Sequence, residues 1–259
     1  MLSRLFFLSW VLLFGVLCSC QSGSVPPPAA EPQGVSALST VDSGRAFPLA
    51  ELLGQFDPAR HPDFVRVPAP YAARADLYLR REAAEAFARM AQAAQADGIA
   101  LRVLSAARSF AYQKGIWERK WNDRATTWPN FMQRAQSILE YSAMPGASRH
   151  HWGTDVDLNA LENGAFEPGG PHEKVYTWLS QHAHRFGFCQ PYTPLGPERP
   201  TGYREEKWHW SYLPLAAPML QQYAARVTDS LLTGFAGAET AASLSIVQNY
   251  VLGINAACR

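Results

Sequence analysis

Cysteine is scarce in this chain, with four among 259 residues and no Cys-x-x-Cys pair. Structural zinc sites built on thiolates need such close spacing, so cysteine-ligated modules are excluded. Basic runs are missing too: the 23 lysines and arginines are scattered, none in a run longer than two, and the net charge is +1. A nucleic-acid partner calls for a basic footprint that this distribution lacks. The helical His-Glu-x-x-His arrangement is absent, as is any internal repeat. Long apolar runs occur once, at residues 5–17, a stretch too short to span a bilayer comfortably. What the chain does have is 47% hydrophobic content, enough to bury the core of one domain, or two at most.

The N-terminus reads as a targeting segment. Arg4 precedes the uncharged run at 5–17, and Leu17-Cys18-Ser19-Cys20 follows it without an Ala-x-Ala-like cleavage site. The leucine three before Cys20 and the serine just before it resemble the bacterial lipoprotein processing box. That resemblance implies a signal peptide at 1–19, lipidation of Cys20, export, and a membrane anchor facing the periplasm or cell wall. The alternative is an ordinary secretory signal. Residues 20–45, rich in Ser, Pro, Gly and Ala with Pro26-Pro27-Pro28 inside, read as a tether. Residues 46–259 form the folded domain. Cys189 and Cys258 are then the remaining thiols, and in an oxidising compartment they are expected to pair, the alternative being two buried, inert thiols.

Periodicity predicts a long helix over 76–97, where Phe87, Met90, Ala91 and Ala94 share a face and Gly98 supplies a stop. A short strand is expected at 99–104, helices at 111–122 and within 128–141, a strand at 155–158, a helix at 173–186 and a strand at 208–212. Two more helices are expected at 215–232 and 241–254. Helices outnumber strands, and the class is α+β.

Two segments carry chemistry. Ser148-Arg149-His150-His151-Trp152-Gly153-Thr154-Asp155-Val156-Asp157 offers imidazoles and carboxylates, and Glu205-Glu206-Lys207-Trp208-His209-Trp210 adds another imidazole beside carboxylates. A catalytic zinc site needs about three such ligands, an open position for water and a general base next to it. On chemistry alone His151 competes with His150, Asp155 with Asp157, and Glu205 with Glu206. Asp155 and Asp157, two apart on a strand, share a face, whereas adjacent Glu205 and Glu206 would point oppositely. Trp208 and Trp210 read as site walls or as core. His182 reads as a core histidine, and His61, His172 and His184 as surface or loop residues.

Taken together, these segments resemble the VanY-type D-alanyl-D-alanine carboxypeptidases of the LAS group of zinc peptidases. Their Ser-x-His-x-x-Gly-x-x-x-Asp pattern matches at Ser148, His150, Gly153 and Asp157, and their Glu-x-Trp-His at Glu206, Trp208 and His209. An arginine-serine-aromatic element with a nearby glutamine matches at Arg108, Ser109, Phe110 and Gln113. The three elements occur in family order. The resemblance implies a Hedgehog/DD-peptidase-like single domain, a small antiparallel sheet flanked by helices, and one Zn2+ per chain on His150, Asp157 and His209. It also implies Glu206 as general base, Arg108 in catalysis and substrate binding, and Ser148 and Trp208 at the substrate. Arg108 could instead serve as a structural ion-pair partner. The implied partner is a peptidoglycan stem peptide, met by a monomer. Related activities share the motifs: L,D-carboxypeptidase, D-Ala-D-Ala dipeptidase and endopeptidase. A non-catalytic, zinc-containing wall-binding lipoprotein is the alternative of another class, and interaction through the tether a weaker one. The stretch between residues 117 and 141 is a candidate lid.

Overall fold

The computed structural model describes residues 45–259. The signal segment, Cys20 and all but the last residue of the tether lie outside the described residues. Within them, helices alternate with short strands in an α+β arrangement.

A two-stranded antiparallel ribbon joins β1 (Phe64–Arg66) to β2 (Tyr78–Arg80). The helix expected from residue 76 therefore begins later, as α2 (Arg81–Ala96), because residues 78–80 are committed to the ladder with β1. Its predicted apolar face is buried, and the chain leaves it through Gly98 at φ +77°. The main sheet has β3 (Val103–Ser105), β4 (Asp155–Leu158), β5 (Phe188–Cys189) and β6 (His209–Tyr212), in the order β3-β4-β6-β5 with every pair antiparallel. The first of these is shorter than the expected 99–104, since the Asn159 side chain occupies the backbone of Ala100 and Arg102.

Strand alternation decides what this sheet does. Val103, Val156, Leu158, Phe188, Trp210 and Tyr212 point into an apolar cluster shared with α2 and with α5 (Glu173–His182). The residues between them, Asp155, Asp157, His209 and Ser211, fall on the opposite, polar face, and a register shift between Val103 and Ser105 brings Ser105 beside Asp157 as well. The register sets Asp157 beside His209, and Asp155 beside Ser211.

A second apolar cluster is built from α1 (Leu49–Leu52), α3 (Phe110–Asp123), α4 (Phe131–Leu139), α6 (Leu213–Arg226) and the C-terminal segment. Ser109 caps α3 by accepting from the Tyr112 amide, and Asn130 caps α4 through Gln133. The helix expected over 241–254 is interrupted. It forms α7 (Ala241–Leu244), turns at Ser245 with φ +49°, and resumes as one wide turn over Val247–Val251. Val251 and Ile254 are buried, and Val247 and Tyr250 pack against the same cluster.

The stretch proposed as a lid is a packed wall. Trp117 and Trp121 are buried and stacked, Trp117 donates to the Ala236 carbonyl, and Arg134 holds the carbonyls of Ala125, Trp128 and Pro129. Ala135, Ile138 and Leu139 of the same stretch are buried in the second apolar cluster.

Candidate functional site

His150 sits on a single 3-10 turn, Arg149–Trp152, closed by Gly153 in the left-handed region at φ +69°. Only glycine fits there, because a Cβ would stand 2.3 Å from the Phe64 ring. Behind the turn the buried Arg80 donates to the Trp152 carbonyl and pairs with Glu51 and Asp63. The half-buried Glu51–His61–Asp63 group is thus an ion-pair network, its carboxylates occupied by Arg80 and Arg45. His209 opens β6, and Glu206 comes just before it in a turn closed by the His209 amide on the Glu206 carbonyl. The strand expected from residue 208 therefore starts one residue later. This turn, rather than an extended strand, brings base and histidine together.

These elements converge on His150, Asp157 and His209, all buried, with one donor atom from each lying within 4.8 Å of the others. Each imidazole is oriented from behind. His150 Nδ1 is 2.8 Å from the Ala106 carbonyl, which can only accept, so Nδ1 carries the hydrogen and Nε2 faces Asp157 Oδ2 at 3.3 Å. His209 Nε2 donates to Asp155 Oδ1 at 2.9 Å, turning Nδ1 toward Asp157 Oδ1 at 3.1 Å and Glu206 Oε2 at 3.3 Å.

The donor set fits a metal ion. Asp157 Oδ1 is buried without a hydrogen-bond partner, and orphaned buried acceptors call for an explanation. Outward hydrogen bonds that fix both imidazole tautomers are what ligating histidines show. The charges agree. Burial pulls the His209 imidazole down, but Asp155, Asp157 and Glu206 outweigh it and hold its pKa well above the histidine range. Burial lowers His150, with Arg108 adding to the effect. Asp157 is pushed up by burial and brought down further by His150 and His209, ending well below the carboxylate range. Asp155 and Asp157 are offset by Arg149 and Arg108, so the buried Glu206 is the carboxylate that faces the centre without an arginine, and a bound cation would sit beside it. Glu206 differs: burial raises its pKa, and its backbone is clamped by the Tyr192 carbonyl and the Gln190 amide.

The neighbours that competed on chemistry alone have other tasks. His151 is spent at both nitrogens, on the Arg108 carbonyl and the Gly146 amide, and burial pushes its pKa down to about 4. Asp155 is fully buried and bonded to Arg149, Thr154, Ser211 and His209, so it orients His209. Its sequence signal was the i, i+2 spacing with Asp157, read as competition where the structure shows two layers. Glu205 is half-buried beside Lys207 and Asn163.

Arg108 spends its guanidinium on Ser105, Gln113 and Asp157, the last at 2.8 Å. It lines a cavity of about 580 Å³ together with Ser148, His150, Asp157, Glu206, Trp208 and His209. Trp210 does not line it and packs in the apolar cluster. Of the other histidines, His182 lies tilted against Trp178 and is half-buried rather than in the core, and His172 lies against Phe166. Tyr192 and Tyr203, on the cavity wall, escaped sequence reasoning because nothing in their spacing marks them.

Cys189 and Cys258 form a disulfide, with Cα atoms 5.9 Å apart. It ties β5 to the C-terminal segment, where Asn255 also holds the Gln190 and Pro191 carbonyls. The covalent link therefore lies next to the residue that clamps Glu206.

The chain has relatives among known proteins. The family model described as VanY, D-alanyl-D-alanine carboxypeptidase, matches residues 76–215, more than half of the chain and a span that holds all three motifs. A D-alanyl-D-alanine carboxypeptidase of Enterococcus faecalis is 34% identical over 125 residues, 48% of this chain and 44% of that protein. The match thus spans less than half of that relative's length. Among solved structures, a mutant of the vancomycin-resistance D,D-pentapeptidase VanY in complex with Zn(II) is 26% identical, covering 61% of this chain and 87% of that one, with a TM-score of 0.46. The LD-carboxypeptidase LdcB is 23% identical, covering 76% and 81%, with a TM-score of 0.49. With its arginine, histidine and glutamate-histidine elements gathered at one centre, the chain belongs to the VanY family of D-alanyl-D-alanine carboxypeptidases.

Proposed function

We propose that this protein is a zinc-dependent D-alanyl-D-alanine carboxypeptidase that trims peptidoglycan stem peptides. One observation carries the reading: two tautomer-fixed imidazoles face an unpartnered Asp157 oxygen, with the buried Glu206 carboxylate 3.3 Å from His209, in a cavity of peptide size. Zinc held by His150, Asp157 and His209 would supply Lewis acidity to a water molecule and to the scissile carbonyl. Glu206 takes the proton from the attacking water and returns it to the leaving amine, and burial raises its proton affinity toward that task. Arg108 holds Asp157 in place and lends positive charge where the carbonyl oxygen becomes negative. Ser148 and Trp208 position the peptide from the cavity wall.

The test is mass spectrometry of defined pentapeptide and tetrapeptide muropeptides after incubation, with and without a chelator. Loss of D-alanine from the pentapeptide supports the reading, and loss from the tetrapeptide alone shifts it to L,D-cleavage. No chelator-sensitive product from either refutes it. We further propose that residues 1–19 direct export and that Cys20 carries the lipid anchor. Fatty-acid labelling that persists in Cys20→Ala would refute the anchor.

A further inference from the structure

Lys120 and Arg119 line the cavity without an ion pair among the described residues, and of the two only Lys120 is half-buried. Tyr112, Ile116 and Lys120 follow one another at i, i+4 and i+8 on the stripe of α3 that lines it. Lysine ion pairs among the described residues join Lys114 to Glu118 and Lys207 to Glu167. Lys120 forms none, and its ammonium donates to the Ser142 hydroxyl at 2.5 Å. It is half-buried, and this burial, with Arg124 and Arg108 nearby, draws its pKa down against the opposing pull of Glu206. An ammonium withdrawn from water among like charges is unfavourable until an anion joins it.

The other unmet groups point the same way. Arg149 Nη1 and Tyr203 Oη are buried without partners, both residues line this cavity, and both groups can donate. The third orphan, Asp157 Oδ1, belongs to the metal centre. Two buried donors beside the cavity therefore lack acceptors. Arg108 differs from Lys120 in already having a carboxylate partner, Asp157.

We infer that Lys120, with Ser142, forms a subsite for a carboxylate of the peptide substrate and so determines specificity. This rests on the peptidase reading above. The carboxylate has two sources in a stem peptide, the C-terminus and an internal acidic residue. The α3 stripe rises ~12 Å from Tyr112 to Lys120, long enough to reach either.

Two pairs of D-Ala-D-Ala peptides test it, one differing in a free or amidated C-terminus, the other in a free or amidated internal D-glutamate. Steady-state kinetics on the zinc-loaded full chain are expected to show about a 10- to 100-fold preference for the free acid in at least one pair. Lys120→Met should erase that preference through KM, Ser142→Ala should weaken it, and Lys120→Arg should restore part of it. A Lys120→Met protein that keeps the preference, or loses acid and amide turnover equally, overturns the inference. Where Lys120→Met does not fold, the Lys120→Arg and Ser142→Ala ratios decide by the same criterion. If the parent cleaves none of the peptides, the peptidase reading fails on its own. Calorimetric binding of the same pairs to Glu206→Gln then still judges Lys120: acid over amide supports the subsite, and equal affinities refute it.

Discussion

Replacing Asp155 with Asn keeps the side chain's shape and removes one buried charge, and two separable losses should follow. The first is at the metal centre. Asp155 Oδ1 accepts from His209 Nε2 at 2.9 Å and so directs Nδ1 inward. Removing such an orienting partner typically weakens metal affinity about 10- to 100-fold, roughly 1.4–2.7 kcal/mol. The second loss is to the fold. Arg149 and Asp155 are both fully buried and 3.0 Å apart, and Arg149 Nη1 already lacks a partner. Stranding a buried guanidinium costs about 3–5 kcal/mol, and an asparagine that still accepts one hydrogen bond should bring the loss to the lower end. For a domain of this size that is roughly a 6–12 °C fall in Tm. Zinc competition against a chromophoric chelator reads the first loss, and thermal unfolding of the metal-free protein reads the second. Ser211→Ala, which removes a hydroxyl from the same carboxylate but leaves its charge, should show a much smaller effect on both. An Asp155→Asn protein that binds zinc within threefold of the parent would refute the orienting role, whatever its Tm.

Glu206→Gln should lower turnover by about 100- to 10,000-fold while zinc remains bound, checked by muropeptide assay and metal analysis on one sample. Parallel loss of zinc would instead make Glu206 a ligand. His151 has a depressed folded pKa of about 4, so the unfolded chain binds more protons between about pH 4 and the ordinary histidine pKa of 6.5. Its contribution, about 3 kcal/mol, is present above that window and lost as pH falls through it. Urea unfolding from pH 7 to 4.5 should therefore be flatter in His151→Gln than in the parent, and equal slopes would remove His151 as the cause. Opening the Cys189–Cys258 link, which spans 69 residues, should cost about 4 kcal/mol by loop entropy. Because the link adjoins the clamp on Glu206, the Cys189→Ser/Cys258→Ser protein should lose activity before it unfolds. Denaturant titrations followed by activity and by fluorescence test this, and coincident transitions would argue against it.

Much of the centre was legible in the sequence because its chemistry is local. The spacing Asp155–Asp157 places both carboxylates on one strand face whatever surrounds them, and Glu206 precedes His209 by the length of a turn. The buried face of α2 follows likewise from side chains near their own backbone. The boundary of α2 did not, because the hydrogen bonds that claim residues 78–80 come from β1, a dozen residues earlier. Nor did the break at Ser245, which answers to packing of the C-terminal segment.

The residue types for a metal, a base and a polar strand face were written into the chain itself, since period-2 alternation and donor chemistry need no distant partner. Choosing among neighbours was a tertiary decision. His150 and His151 have the same imidazole, and they differ because the Ala106 carbonyl holds one toward Asp157 while the Arg108 carbonyl and Gly146 amide consume both nitrogens of the other. Asp155 and Asp157 share a face, and the cross-strand register, with Arg149 beneath, makes one the orienter and the other the donor. Arg108 and Lys120 look alike as cations in the sequence. Only the fold occupies the first with Asp157 and leaves the second facing the cavity without an acid.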